Sequence, residues 1–212
     1  LFRVSKLEDH NLHKEKEDLL ILKLRELAKN VKGIVVSDFV YGVITDNVLK
    51  EINLLSKKYS LMIFGDLQCS SQVGDISIFK NFTLLCPNEK ETRTALKDNV
   101  SGLEKLSQKL IKLTNTEKLI MKLGADGFIS YESKNNKIRN YSLPALSVNP
   151  VDVAGAGDSL LAVMSIGLSS NQSMFCSSVI ASCMASLAVD TMGNLPITKK
   201  QLISKIINVF ES

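Results

Sequence analysis

A chain of 212 residues, 45% of them hydrophobic, is long enough to bury one large core and too apolar for disorder. Its 26 basic and 22 acidic residues leave a net charge of +4, which suits an anionic ligand but falls short of the dense basic stripe of a nucleic-acid binder; with no Trp and 6% aromatics, base-stacking platforms are missing too. Cys69, Cys86, Cys176 and Cys183 form no C-x-x-C and only His10 and His13 could join them, which argues against a zinc site or a disulfide framework and fits a reducing cytosol.

No repeat, low-complexity tract or linker interrupts the chain, so residues 1–212 are expected to form a single domain. The start is charged early, so no apolar leader is expected. The longest apolar stretch, about 177–189, is too short and too broken by Ser and Cys to span a bilayer, so a cytoplasmic protein without a membrane partner is expected. Leucines among charges predict a helix over 14–30, ended by Gly33. A β-branched run, Ile34–Ser37, reads as a buried strand leading to Asp38. Thr45 can cap a helix to about Lys58. Leu61–Phe64 reads as a second strand ending at Gly65-Asp66, and Phe82–Cys86 as a third, stopped by Pro87-Asn88. A helix over Glu89–Leu96 follows, and Ser101 with Glu104 makes a capping box for another to Leu113. Lys118–Lys122 is a fourth strand; Phe128–Glu132 and Lys137–Tyr141, joined by Asn135-Asn136, read as a hairpin. The last third is helical, at about 157–168, 172–190 and 199–210. Strands alternating with helices imply a mainly parallel sheet covered on both faces, with ligands beyond the carboxyl ends of its strands, where Asp38, Asp66, Asn88 and Gly124 collect.

The most informative segment is Asp152-Val153-Ala154-Gly155-Ala156-Gly157-Asp158, followed by an apolar run. Small side chains let backbone N–H groups approach an anion closely, and the helix N-terminus adds the positive end of its dipole. Gly155, Ala156 and Gly157 would form an anion hole for a transferring phosphoryl group, with Asp158 beside it as base for an attacking hydroxyl. The plain alternative is a helix cap. No Gly-Lys-Ser/Thr follows, so this is not a Walker A loop, and no strand-turn-helix carries G-x-G-x-x-G.

Asp152–Asp158 resembles the C-terminal signature of the ribokinase-like (PfkB) carbohydrate kinases, with Val163 where the family usually has a small residue. Three further motifs fall in family order. Pro87-Asn88-Glu89-Lys90-Glu91 is similar to the N-x-x-E motif, which implies that Asn88 and Glu91 organise Mg²⁺, partly through water; alone it reads as a helix start after proline. Lys122-Leu123-Gly124-Ala125-Asp126-Gly127 resembles the strand-end turn against the nucleotide phosphates, and alone reads as a β-turn. Ala181–Asp190 with Gly193 resembles the helix and turn lining the adenine pocket. Within the family, Val35–Val43 is similar to a segment of the heptose-phosphate kinases, with Tyr41 in place of Lys; Phe64–Gln68 replaces their D-P-K stretch, and Leu1–Val4 resembles a strand near their middle.

The resemblance implies a ribokinase-like three-layer sandwich, N-terminally incomplete and lacking the small β lid. It implies ATP-dependent phosphorylation of a sugar or sugar phosphate with ATP and Mg²⁺, a K⁺ site at Asp152, and a homodimer in the complete protein. Asp38 and Asp66 lie on the expected rim as substrate contacts, with loop capping as the plain alternative. A competing function is a nucleotide-binding module without turnover. His10 and His13 read as solvated, and Cys176, Cys183, Met62, Met121, Met164 and Met184 as packing.

Overall fold

The computed structural model describes residues 10–68, 73–134, 137–147, 149–193 and 195–211; the expected strand at Leu1–Val4, Cys69 and the Asn135-Asn136 turn lie outside them. Helix α1 (Lys14–Leu27) ends in a 3-10 turn, Ala28–Asn30, so the helix expected over 14–30 is split at its last turn. Strand β1 (Gly33–Asp38) is followed by α2 (Asp46–Tyr59), whose N-cap Thr45 accepts from the Val48 N–H, and by β2 (Met62–Leu67). β2 runs on past Phe64, so Gly65 and Asp66 lie inside the strand and not in a loop after it. Strand β3 is confined to Leu84–Leu85, although the backbones of Thr83 and Cys86 still bond to Ile63 and Gly65.

Helix α3 (Glu89–Leu96) keeps its expected bounds; α4 (Leu103–Thr114) does not keep its expected cap. Its N-cap is Gly102, because Asp98 accepts the Ser101 N–H and Arg93 donates to the Ser101 carbonyl, which holds Ser101 outside the helix. Strands β4 (Lys118–Lys122), β5 (Phe128–Lys134) and β6 (Lys137–Leu143) precede helices α5 (Ala156–Ser169), α6 (Met174–Val189) and α7 (Lys199–Glu211).

The strands form a six-stranded sheet in the order β1-β2-β3-β4-β5-β6, parallel from β1 to β4 and antiparallel at β5 and β6. Alternation sorts the core into two layers. Ile63, Leu67, Leu85, Leu119 and Met121 point to α1, α2 and α4, while Phe64, Leu84 and Ile120 point to Leu160, Leu161, Met164 and Leu168 of α5 and Ala181 of α6. This is the expected α/β/α sandwich, and no second sheet occurs among the described residues. Helices α5 and α6 approach closely at Gly167, where a Cβ would come within 2.5 Å of Ser177 Oγ. The carboxyl ends of the parallel strands and the N-terminus of α5 meet at one rim.

Candidate active site

The Gly155 backbone, at φ 78°, is left-handed, which glycine adopts without strain, and it turns the chain into α5. No side chain caps that helix, so the amides of Ala156, Gly157 and Asp158 open the helix with no side-chain acceptor. Asp158 stands exposed in this first turn. Its Oδ1 accepts from Gln68 Nε2 at 2.8 Å, just past β2, and from Ser37 Oγ at 3.4 Å, on β1. Two strand ends thus fix the carboxylate beside the uncapped amides.

Beneath that turn lies an ion pair. Lys122 Nζ, at the end of β4, reaches both Asp66 oxygens at 2.7 and 2.8 Å. Asp66 is fully buried, and burial pushes its carboxyl up to about 6 against the pull of Lys122. Burial alone would lower the Lys122 ammonium, but the Asp66 carboxylate outweighs it and holds the ammonium above its ordinary range. Asp66 therefore sits at the rim, as its place in the sequence predicts, but its carboxylate faces Lys122 and not the open side. Asp38, also buried, accepts from the Val40 N–H at 2.9 Å; burial raises its carboxyl and that bond opposes the rise.

Asn88 and Glu91 form a reciprocal capping box at α3: Asn88 Oδ1 accepts the Glu91 N–H and Glu91 Oε2 accepts the Asn88 N–H, both at 2.8 Å. The helix-start reading of this motif is realised, and Glu91 Oε1 lies outside the box. No group of three or more His, Cys, Asp or Glu able to hold a metal occurs among the described residues. A lone buried carboxylate with an amide oxygen fits Mg²⁺ that keeps waters and takes its other ligands from phosphates, and does not fit an all-protein metal cage.

A cavity of about 470 Å³ runs from Lys122 and Gly157 along Gly124 and Gly127 to an apolar end at Pro144 and Val189. One end is cationic with free helix amides and the other is greasy, the polarity of a nucleotide pocket. Asp152 ties its wall together: Oδ1 accepts from the Ala154 N–H at 3.0 Å and Oδ2 from the Gly193 N–H at 3.1 Å. These two amides hold its carboxyl below the usual range. The structure thus gathers Lys122, Gly124, Gly127, Ala156 and Gly157 around one cavity, with Gly155 and Asp158 on the same turn, Asn88 paired to Lys122 next to it, and Asp152 and Gly193 bonded to each other behind its wall.

Sequence reasoning missed Gln68 and Ser37 as the partners of Asp158, and Lys122 as the partner of Asp66. Their distances in sequence from these partners leave no local signal, apart from the position of Gln68 just after a strand end.

Known structures share this architecture. Phosphofructokinase-2 from Escherichia coli, in complex with potassium, superposes with a TM-score of 0.76 at 17% identity over 94% of this chain and 64% of its own. A ribokinase of Arabidopsis thaliana, complexed with ribose and ATP, gives 0.71 at 18% identity, covering 93% of this chain and 62% of its own. The fold is that of the ribokinase-like kinases. A profile of the pfkB family carbohydrate kinases matches residues 6–200, and the chain belongs to that family. The bifunctional protein HldE of Campylobacter jejuni subsp. jejuni serotype O:6 is 31% identical over 191 residues, 89% of this chain and 40% of that protein. HldE of Desulfatibacillum aliphaticivorans is 23% identical over 210 residues, 97% of this chain and 41% of that protein. The chain thus spans about two fifths of the length of these curated relatives.

Proposed function

We propose that this chain is the nucleotide-binding and catalytic part of an ATP-dependent carbohydrate kinase that phosphorylates a hydroxyl of a sugar or sugar phosphate. The observation that carries the reading is the place of Asp158 in the uncapped first turn of α5, whose Ala156 and Gly157 line the cavity. Asp158 takes the acceptor proton as the hydroxyl oxygen forms its bond to the γ-phosphorus, and the bond from that phosphorus to the leaving ADP oxygen breaks. The Gly155–Asp158 amides face the oxygens on which charge grows. Lys122, Gly124 and Gly127 border the phosphates, and the apolar end of the cavity takes the adenosine.

Asn88 and Glu91 would hold Mg²⁺ partly through water, and the ion would screen the phosphate charge. Asp152, which its amide partners keep ionised, is the candidate for a monovalent cation such as K⁺. Asp38 stands at the sugar side of the rim. The likeness of Val35–Val43 to the heptose-phosphate kinases makes a heptose phosphate the first acceptor to try, in a cytoplasmic protein whose complete form is a homodimer.

Asp158→Asn tests the reading. In the complete protein kcat should fall by about 10²–10⁴-fold while KM for ATP and the thermal midpoint hardly move. Asn keeps the size and most of the hydrogen bonding of Asp, so a variant keeping more than about a tenth of kcat would remove Asp158 from the mechanism. A complete protein that binds ATP but transfers no phosphate to any sugar would leave nucleotide binding without turnover as the function.

A further inference from the structure

The Asp66–Lys122 pair joins β2 to β4 across the end of the two-residue strand β3. Both residues share the strand face of Phe64 and Ile120, the face toward α5. A Cβ on Gly157 would lie 3.4 Å from Asp66 Oδ2 and 3.5 Å from Lys122 Nζ, so the first turn of α5 rests on the pair with no side chain between. The partners are unequal. Asp66 is sealed at 0% side-chain exposure, whereas Lys122 keeps 20% and lines both the 470 Å³ cavity and a neighbouring basin of about 610 Å³ bounded by Asn88, Lys90 and Arg93.

A carboxylate under a helix N-terminus sits where the dipole favours an anion. Beside it is a cation that reaches the ligand side. We infer that Asp66 is a positioning residue, a resident counter-ion that occupies the place of a phosphate beneath α5 and aims the Lys122 ammonium, which then bonds the terminal phosphates of the nucleotide. Asp66 thus acts through Lys122 and does not touch the sugar. This deepens the kinase reading above and rests on it. Keeping a buried cation and anion paired avoids the cost of either alone, and the approach of a second anion lets Lys122 share its donors without losing the first.

The test compares ATP with adenosine, measured by calorimetry on the 212-residue chain at fixed pH and Mg²⁺ concentration. The wild-type chain should prefer ATP. In the double variant Lys122→Met/Asp66→Asn no charge is left buried alone, so it should fold, as its thermal midpoint checks. Its preference for ATP should drop roughly 10- to 100-fold, the value of a hydrogen bond to a charged group, with adenosine binding kept. Asp66→Asn alone weakens the two bonds that aim Lys122 and should lower the preference by about threefold or more. Lys122→Arg keeps the cation and should keep the preference. A double variant that prefers ATP as strongly as wild type, or an Asp66→Asn variant that keeps or raises the preference, overturns the inference and leaves the kinase reading standing. A wild-type chain that binds neither ATP nor adenosine overturns the kinase reading, and the inference with it.

Discussion

Asp158 owes its orientation to Gln68 and Ser37, residues 90 and 121 positions away in the chain. Gln68→Ala removes the shorter of these bonds, a charge-assisted one at 2.8 Å, and frees the carboxylate to rotate. In the complete protein kcat should fall about tenfold with KM for ATP unchanged, which steady-state kinetics would show. Asp66 makes a different prediction, about stability. Its folded carboxyl, at about 6, lies above the ordinary carboxylate value. The folded state therefore binds this proton more tightly than the unfolded state. The stability so gained is full below pH about 4 and is lost as pH rises through about 6, by about 3 kcal/mol at most. Denaturant melts of wild type and Asp66→Asn between these limits should differ in slope, with the variant flatter; parallel slopes would mean that Asp66 does not titrate there.

At the scale of elements, α3 and α5 begin in opposite ways. Asn88 closes the N-terminus of α3 with its own side chain, while α5 starts from Gly155 and has no side-chain cap. Asn88→Ala should cost about 1 kcal/mol, or roughly 2–4 °C in thermal midpoint, whether or not nucleotide is present. A further loss of Mg²⁺-dependent ATP affinity in that variant would mark the second role proposed for the motif. The α5–α6 contact depends on Gly167, where Ser177 leaves no room for a side chain. Gly167→Leu should destabilise by about 1–3 kcal/mol in chemical denaturation, through overpacking. The S-x-x-E signature at Ser101–Glu104 shows how an element can be foreseen and its cap missed: α4 forms, but Asp98 claims the Ser101 N–H first.

For the whole molecule, the sheet and its two helical layers enclose the cavity proposed for the nucleotide within this chain, although the chain spans 64% of the phosphofructokinase-2 it superposes on. The isolated chain should therefore bind ATP with Mg²⁺ at up to millimolar concentrations, measurable by calorimetry, yet transfer phosphate very slowly. Orientation of the acceptor and exclusion of water supply a large share of rate enhancement, and among the described residues no second sheet covers the open side of the rim. Robust turnover by the isolated chain would show that the rim is sufficient by itself.

The sequence alone determined the alternation of strands and helices, the two-faced sheet and the place of the Gly155–Asp158 turn. Those follow from local signals: apolar runs of strand length, helical periodicity, and glycine where the backbone must turn left-handed. The tertiary structure decided which charges answer one another. Asp66 and Asp38 both looked like rim carboxylates, yet packing of β2 between β1 and β3 buried Asp66 and delivered Lys122 to it from β4, two strands away. Electrostatic partners are set by distance in space and by loss of water, and neither quantity is written in the spacing of residues along a chain.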